Sequence, residues 1–306
     1  MPGGAHPVIE ALRSRPAGAR LALVVEGGGM RGAVSGGMAL GLDELGLAGA
    51  FDAAYGSSAG TLNAMWLISG RVRDGIPTWT DPALVRELIS RRRLIGSRPI
   101  VDVETLVERR YEELSPGLFA AVLAAGTELH PIATAVESGM PVDLHPRIED
   151  EASLREAIRA SATLPLLAGP PVVIGGTRYL DAGLSAAIPY RAAFADGATH
   201  VLLLRSRRQG EVVEPPSGTG ARLMTRALAR IDPAVARSFV SRAERELADE
   251  ELLARHDRDP RMIPHVLSVR PAPGSPVPRR LERDIGVVRA GLEAGREAVH
   301  RALADD

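Results

Sequence analysis

The 306-residue chain predicts an α/β fold, a three-layer α/β/α arrangement around a mostly parallel central sheet, with helices added at the C-terminal end. Two observations carry this. Runs of strand length at residues 20–26 and 51–55 are each followed by a glycine-rich turn and then a helical stretch, at 33–45 and 59–69. Strand, helix, strand, helix in succession favours parallel strands buried on both faces. The second helical stretch is apolar nearly all round (Leu62, Met65, Trp66, Leu67, Ile68), the pattern of a helix at the centre of a domain.

The remaining elements follow from local signals. Asp81-Pro82 opens a helix running to Arg92, and 103–111 reads as another. Residues 129–136 form a strand ending at the Ser138-Gly139 turn, and 153–161 a helix that stops before Pro165. Residues 172–174 and 178–180 flank Gly175-Gly176 as a hairpin, and 199–205 is a further buried strand. A Pro/Gly-rich loop at 211–220 leads to a charged helical region, 221–256, with a break at Asp232-Pro233. Residues 265–269 read as an edge strand, 271–278 as a proline-rich connector and 281–303 as a terminal helix.

Composition excludes several functions. The chain is 45% hydrophobic and 25% charged, as in a soluble globular protein, and its net charge of −1 gives no field to steer it to nucleic acid. It has no cysteine, so disulfides, thiolate metal sites and thiol catalysis are out. No lysine occurs either; the only side-chain amides are Asn63 and Gln209, a bias expected of a GC-rich genome. No H-E-x-x-H or acidic calcium-loop pattern occurs, so neither a metal nor a cofactor is expected. The first 20 residues lack the apolar core of a secretory signal, and no run approaches the ~18 apolar residues of a membrane span. The expected location is cytoplasmic, peripheral to a membrane if the substrate is lipid; the oligomeric state is unreadable.

Three segments carry chemistry. Gly27-Gly28-Gly29-Met30-Arg31-Gly32 is a glycine turn between a strand and a helix, able to aim N–H groups at negative charge. It fits the dinucleotide fingerprint G-x-G-x-x-G, and a nicotinamide-dependent oxidoreductase therefore stays as a rival. The second strand, however, ends in Tyr55-Gly56-Ser57-Ser58 and offers no acidic residue for a ribose. Gly56-Ser57-Ser58-Ala59-Gly60 is a G-x-S-x-G elbow, with Ser58 held out as a nucleophile at the start of a helix. Asp181-Ala182-Gly183 places a carboxylate at a tight turn. Chain order also permits a triad of Ser58, Asp181 and His265, although Ser58 follows only the second strand and each of the seven histidines reads as a surface or helix-terminal residue.

G-G-G-x-R-G, G-x-S-x-G and D-x-G in this order resemble the patatin-like phospholipase family, and bacterial serine acyl hydrolases of that kind in particular. Similarity extends over residues 20–205 and includes Asn63-Ala64, Arg159-Ala160-Ser161 with Pro165, and Pro189. The resemblance implies Ser58 as nucleophile, Asp181 as base, and an oxyanion hole in the Gly27–Gly32 loop, with Arg31 holding that loop. It implies hydrolysis of fatty-acyl esters of lipids, of phospholipase A or lysophospholipase type, without a cofactor. Ala182 stands where the family often has glycine, which would be strained if φ were positive there. The alternatives are a non-lipid carboxylesterase or thioesterase with a histidine base, and a catalytically silent scaffold. Residues 1–19 are expected as a loose arm, 20–205 as the catalytic domain and 206–306 as a helical extension packed on it. Arg91-Arg92-Arg93 with Arg98 would meet lipid phosphates or simply end a solvated helix.

Overall fold

The computed structural model describes residues 6–90, 99–208, 210–211, 215 and 217–303. Eight strands form one sheet: β1 (Leu21–Val25), β2 (Ala53–Ser57), β3 (Glu128–Ala135), β4 (Pro141–Asp143), β5 (Val172–Ile174), β6 (Thr177–Asp181), β7 (His200–Leu204) and β8 (His265–Val269). Their order is β5-β6-β3-β2-β1-β7-β8, with β4 also on β3. The five strands from β3 to β8 are mutually parallel, while β4, β5 and β6 run antiparallel at one side. The expected α/β sandwich with a mostly parallel sheet is the architecture found.

The helices that bear on the site are α1 (Pro7–Ser14), α2 (Gly32–Glu44), α3 (Ala59–Ile68), α4 (Pro82–Leu88), α5 (Glu151–Ala162), α6 (Tyr190–Ala195), α7 (Gly218–Ile231), α8 (Pro233–Val240), α9 (Arg242–Arg258) and α10 (Ile285–Leu303). Every residue of β1 is buried, and the pleat divides them. Leu21, Leu23 and Val25 face a layer that includes α2 and α3, through Met38, Leu42 and Leu62. Ala22 and Val24 face a second layer that includes α6 and α9, through Tyr190 and Leu253. This two-sided burial is why the inner strands are uninterrupted apolar runs rather than alternating ones. Helix α10 lies so close on α2 that a Cβ on Gly37 would sit 1.8 Å from the Leu292 carbonyl oxygen.

Several expectations change. The N-terminal segment is not loose over residues 7–14: α1, capped by His6, buries Val8, Ala11 and Leu12 in the core. The helix from Pro82 stops at Leu88, because Ile89 pairs with Val101. Strand β2 begins two residues later than the apolar run and continues through Gly56 and Ser57 into the elbow. The 221–256 region breaks twice, once at Asp232 and again at Ser241. Two histidines expected at the surface, His130 and His256, are buried. The arginines at 91–93 and 98 lie outside the described residues.

A buried ion network ties the second layer to the end of β1. Glu26 follows β1, and its carboxylate accepts from Arg205 at 3.0 Å and from the Ser206 N–H at 2.8 Å. Arg205 also bonds Glu250 on α9, and Arg207 bonds Glu246 of the same helix at 2.6 Å. Burial alone would raise the Glu26 pKa; Arg205, then Arg207 and Arg31, outweigh it and bring the pKa from 4.5 down to about 2. Because the folded value is depressed, the stabilisation is present above the unfolded pKa and is lost as pH falls from about 4.5 towards 2. Arg205→Met removes the nearest cation from buried Glu26, leaving it only Arg207 at 3.7 Å, the Ser206 N–H and Arg31, and should cost about 3 kcal/mol in urea unfolding at pH 7. The difference from the native chain should shrink in acid; an equal loss at all pH values would contradict the assignment.

Candidate active site

Strand register brings the three segments together. The glycine loop joins β1 to α2, and the elbow joins β2 to α3; Val25 pairs with Gly56 on adjacent parallel strands. Ser57 pairs with Ile132 on β3, whose next residue, Ala133, pairs with Asp181 at the end of β6. The carboxylate is therefore delivered to the serine by two strand pairings, despite the distance between them in sequence.

The elbow is strained and packed shut. Ser58 has φ +54° and ψ −123°, a conformation that costs a non-glycine residue of order 1–3 kcal/mol and persists only where surroundings enforce it. The surroundings are explicit. A Cβ on Gly60 would lie 2.3 Å from the Val25 carbonyl oxygen, and one on Gly56 would lie 2.3 Å from the Thr61 Cα. The Ser58 N–H donates to the Ser161 hydroxyl at 3.1 Å, and Ser161 in turn bonds the Thr61 hydroxyl at 2.7 Å. Ser57 is buried behind it, and Ala59, which opens α3, lines the same cavity as Ser58.

Asp181 is buried beside this serine. Its N–H donates to the Thr163 carbonyl at 2.9 Å, and its Oδ1 accepts from the Gly183 N–H at 2.7 Å. Its Oδ2 is buried without a hydrogen-bond partner, and Ser58 is the side chain that does most to hold the carboxyl's pKa down against burial. Burial pushes the Asp181 pKa up; Ser58, the Gly183 N–H, Arg280 and Arg242 oppose this without cancelling it. Ala182, fully buried, opens a 3-10 turn and is not among the positive-φ residues, so alanine fits without strain.

The glycine loop is more selective than its sequence indicates. The Gly27 N–H donates to Ala187, Met30 to the Arg280 carbonyl, Arg31 to Gly28, and Gly32 to Gly29 and Met30. Four of the six residues expected in the oxyanion hole thus have their N–H groups already engaged, two within the loop itself and two on the distant Ala187 and Arg280 carbonyls. Among the described residues, only Gly28 and Gly29 in this loop keep N–H groups without an acceptor. Gly29 has φ +59°, and a Cβ there would lie 2.5 Å from the Arg280 carbonyl. Arg31 is buried beside Glu26 and 3.6 Å from Glu211, which makes it a brace for the loop. Asn63 adds a second brace, donating to the Gly32 carbonyl at 2.7 Å and accepting from Trp79 at 2.9 Å.

Two cavities meet at Ser58. One is almost wholly apolar, with Met30, Leu62, Trp79, Leu88 and Leu106 in its wall. The other holds Asp181 together with Met224, Phe239, Arg242 and Arg280. Arg280, Arg242, Ser161 and Trp79 were not singled out as site residues from sequence; only Ser161 carried a signal there, through the Arg159-Ala160-Ser161 resemblance.

No histidine lines either cavity among the described residues. His265 opens β8 in register with His200 and, through β7, with Leu21, at the end of the sheet opposite to Ser58. The histidine-base alternative therefore fails on geometry. Glu128, His130 and His145 cluster at that far end as well, within reach of one ion. Their imidazoles stack face to face, 4.3 Å between centroids and 24° between planes, so the nitrogen lone pairs do not converge. His130 Nδ1 is further tied to Asp143 at 2.6 Å.

Comparison with known proteins agrees with this fold. The family model described as patatin-like phospholipase matches residues 23–194. The uncharacterized protein YjjU of Escherichia coli (strain K12) is 30% identical over 194 residues, 61% of this chain and 52% of the relative. The chain thus spans about half the length of that relative.

The raised pKa of Asp181 makes its ionised form a burden on the fold. A raised carboxyl contributes most favourably below its unfolded value of 3.8 and progressively less as pH rises through the folded value. Asp181→Asn should therefore raise the melting temperature at pH 7, on the order of 2–4 °C for each kcal/mol relieved, with the gain vanishing in acid. A variant less stable than the parent at pH 7 would contradict an uncompensated buried carboxylate.

Proposed function

Because the chain belongs to the patatin-like phospholipase family, we propose that it is a serine acyl hydrolase of lipid fatty-acyl esters, with Ser58 as nucleophile and Asp181 as base. The observation that carries the reading is the buried, unpartnered Asp181 Oδ2 beside a serine held in a strained elbow. Asp181 takes the Ser58 proton as Oγ attacks the ester carbonyl carbon. The N–H groups of Gly28 and Gly29 receive the oxyanion, helped by the N-terminus of α3. When the tetrahedral intermediate collapses, protonated Asp181 returns its proton to the departing alcohol oxygen, leaving an acyl-Ser58. Water then attacks that ester, Asp181 accepts its proton, and the fatty acid leaves with Ser58 restored.

The division of the cavity supports a substrate with two unlike ends. The mostly apolar arm fits an acyl chain, and the arm beside Asp181 carries Arg242, with Arg280 at the junction lining both arms. Arg242 is bound by Glu246 at 3.1 Å, while Arg280 has no ion-pair partner among the described residues. This favours an anionic headgroup, as in phospholipids and lysophospholipids, over neutral acylglycerols.

Ser58→Ala should abolish hydrolysis of an aryl fatty ester, and Asp181→Asn should lower kcat by roughly 10²–10⁴-fold. The acid limb of kcat/KM should follow a group above the usual carboxylate value of 3.8, in the direction set by burial. Near-full activity of Asp181→Asn would reject the dyad. Arg280→Gln should raise KM for a lysophospholipid about tenfold, as loss of one charged hydrogen bond of about 1.5 kcal/mol requires. KM for a monoacylglycerol should stay unchanged; equal effects on both substrates would remove the headgroup assignment.

A further inference from the structure

Helix α7 covers the arm of the cavity that holds Asp181. Met224 and Leu228 line that arm, and Leu228 is fully buried in a cluster with Leu180, Leu184 and Val235. The opposite side of the helix carries Arg222, Arg226 and Arg230, spaced four residues apart and so stacked along one stripe. All three are exposed, and among the described residues none meets an acidic partner. Helix α7 itself contains no Asp or Glu.

Sequence alone obscured this segregation. Glu244, Glu246, Asp249, Glu250 and Glu251 belong to the same charged stretch and argue, by composition, for a solvated helix. In the fold all five lie on α9, beyond two helix breaks. Glu246 and Glu250 are spent on the buried arginines, and Asp249 on Arg191 and Tyr190. None of them neutralises α7.

Apolar side chains are exposed beside the arginine stripe and beside the cavity. Leu223, next to the arginine stripe, is 58% exposed. Leu166, between the cavity-lining Pro165 and Leu167, is 45% exposed, and Leu281, which lines both arms, is 37% exposed. A cationic stripe bordered by leucines matches a surface that is anionic outside and hydrocarbon within. A nucleic acid would satisfy the arginines and leave the leucines unused.

We infer that α7 and the Leu166–Leu223–Leu281 rim form a docking face for a bilayer containing anionic lipid, with the mouth of the Ser58 cavity turned towards it. Its purpose, delivery of acyl esters to Ser58, rests on the proposed hydrolase activity, but the docking is measured without it. Ser58→Ala protein is floated with vesicles of phosphatidylcholine, and of phosphatidylcholine with phosphatidylglycerol, at low and physiological salt. Binding should need the anionic lipid and weaken with salt. With about 1 kcal/mol per arginine near such a surface, Arg222→Gln/Arg226→Gln/Arg230→Gln should weaken binding roughly hundred-fold. In the Ser58-intact background, the triple variant should hydrolyse a short soluble aryl ester at the parental rate. Leu223→Gln should weaken vesicle binding at fixed charge. Equal binding to neutral vesicles, a triple variant that binds like its parent, or retention by DNA or an acidic protein with no vesicle binding would each overturn the inference. Failure of ester hydrolysis alone would strike the hydrolase reading and leave the docking result standing.

Discussion

The close approach of the α3 N-terminus to the end of β1 is the constraint on which the site depends. Gly60 sits against the Val25 carbonyl with no room for a Cβ, and Gly56 sits equally close to Thr61. Between them Ser58 has no relaxed conformation available, and its positive φ follows from that crowding. The same approach sets the glycine loop, which continues directly from β1, beside the serine. Relaxing the elbow would therefore move the hydroxyl and the free N–H groups relative to one another, and catalysis by positioned dipoles tolerates little such movement.

The carboxylate is held by a different logic. Asp181 is anchored through its N–H to Thr163 and through Oδ1 to Gly183, which leaves Oδ2 as the one polar atom of that side chain without a partner. An aspartate in water is a poor base for a serine hydroxyl. Burial raises its proton affinity and removes competing water, while Arg242 and Arg280 at the cavity wall limit the rise. The buried Glu26–Arg205–Arg207 network holds the glycine loop from behind. It connects that loop to α9, so the second layer of the fold has a direct bearing on the geometry of the first turn.

Much of this was legible before any coordinates. The α/β class followed from uninterrupted apolar strands, because two-sided burial writes itself into composition. The elbow and the aspartate turn were readable because strained or tight turns demand particular small residues at fixed spacing. The glycine loop was readable only as a group. Which N–H groups remain free depends on Ala187 and Arg280, distant partners that no local pattern announces. Helix α1 was missed because a Pro/Gly-rich segment gives weak local signals, and its three buried side chains are a tertiary gain. Arg280 was invisible for the same reason: it reaches the site by chain path, from a proline-rich stretch without any periodicity. The charge segregation between α7 and α9 was hidden by averaging over two helix breaks.

The most direct test of the account is the rate at which a fluorophosphonate modifies Ser58, followed by mass spectrometry across pH for the native chain and for Asp181→Asn. Proton removal by Asp181 predicts fast labelling at neutral pH that falls away in acid as the carboxyl is protonated. In the asparagine variant it predicts slow labelling without that acid limb. Native-like labelling of the variant across the whole range would contradict it, since the serine would then be activated by something other than the buried carboxylate.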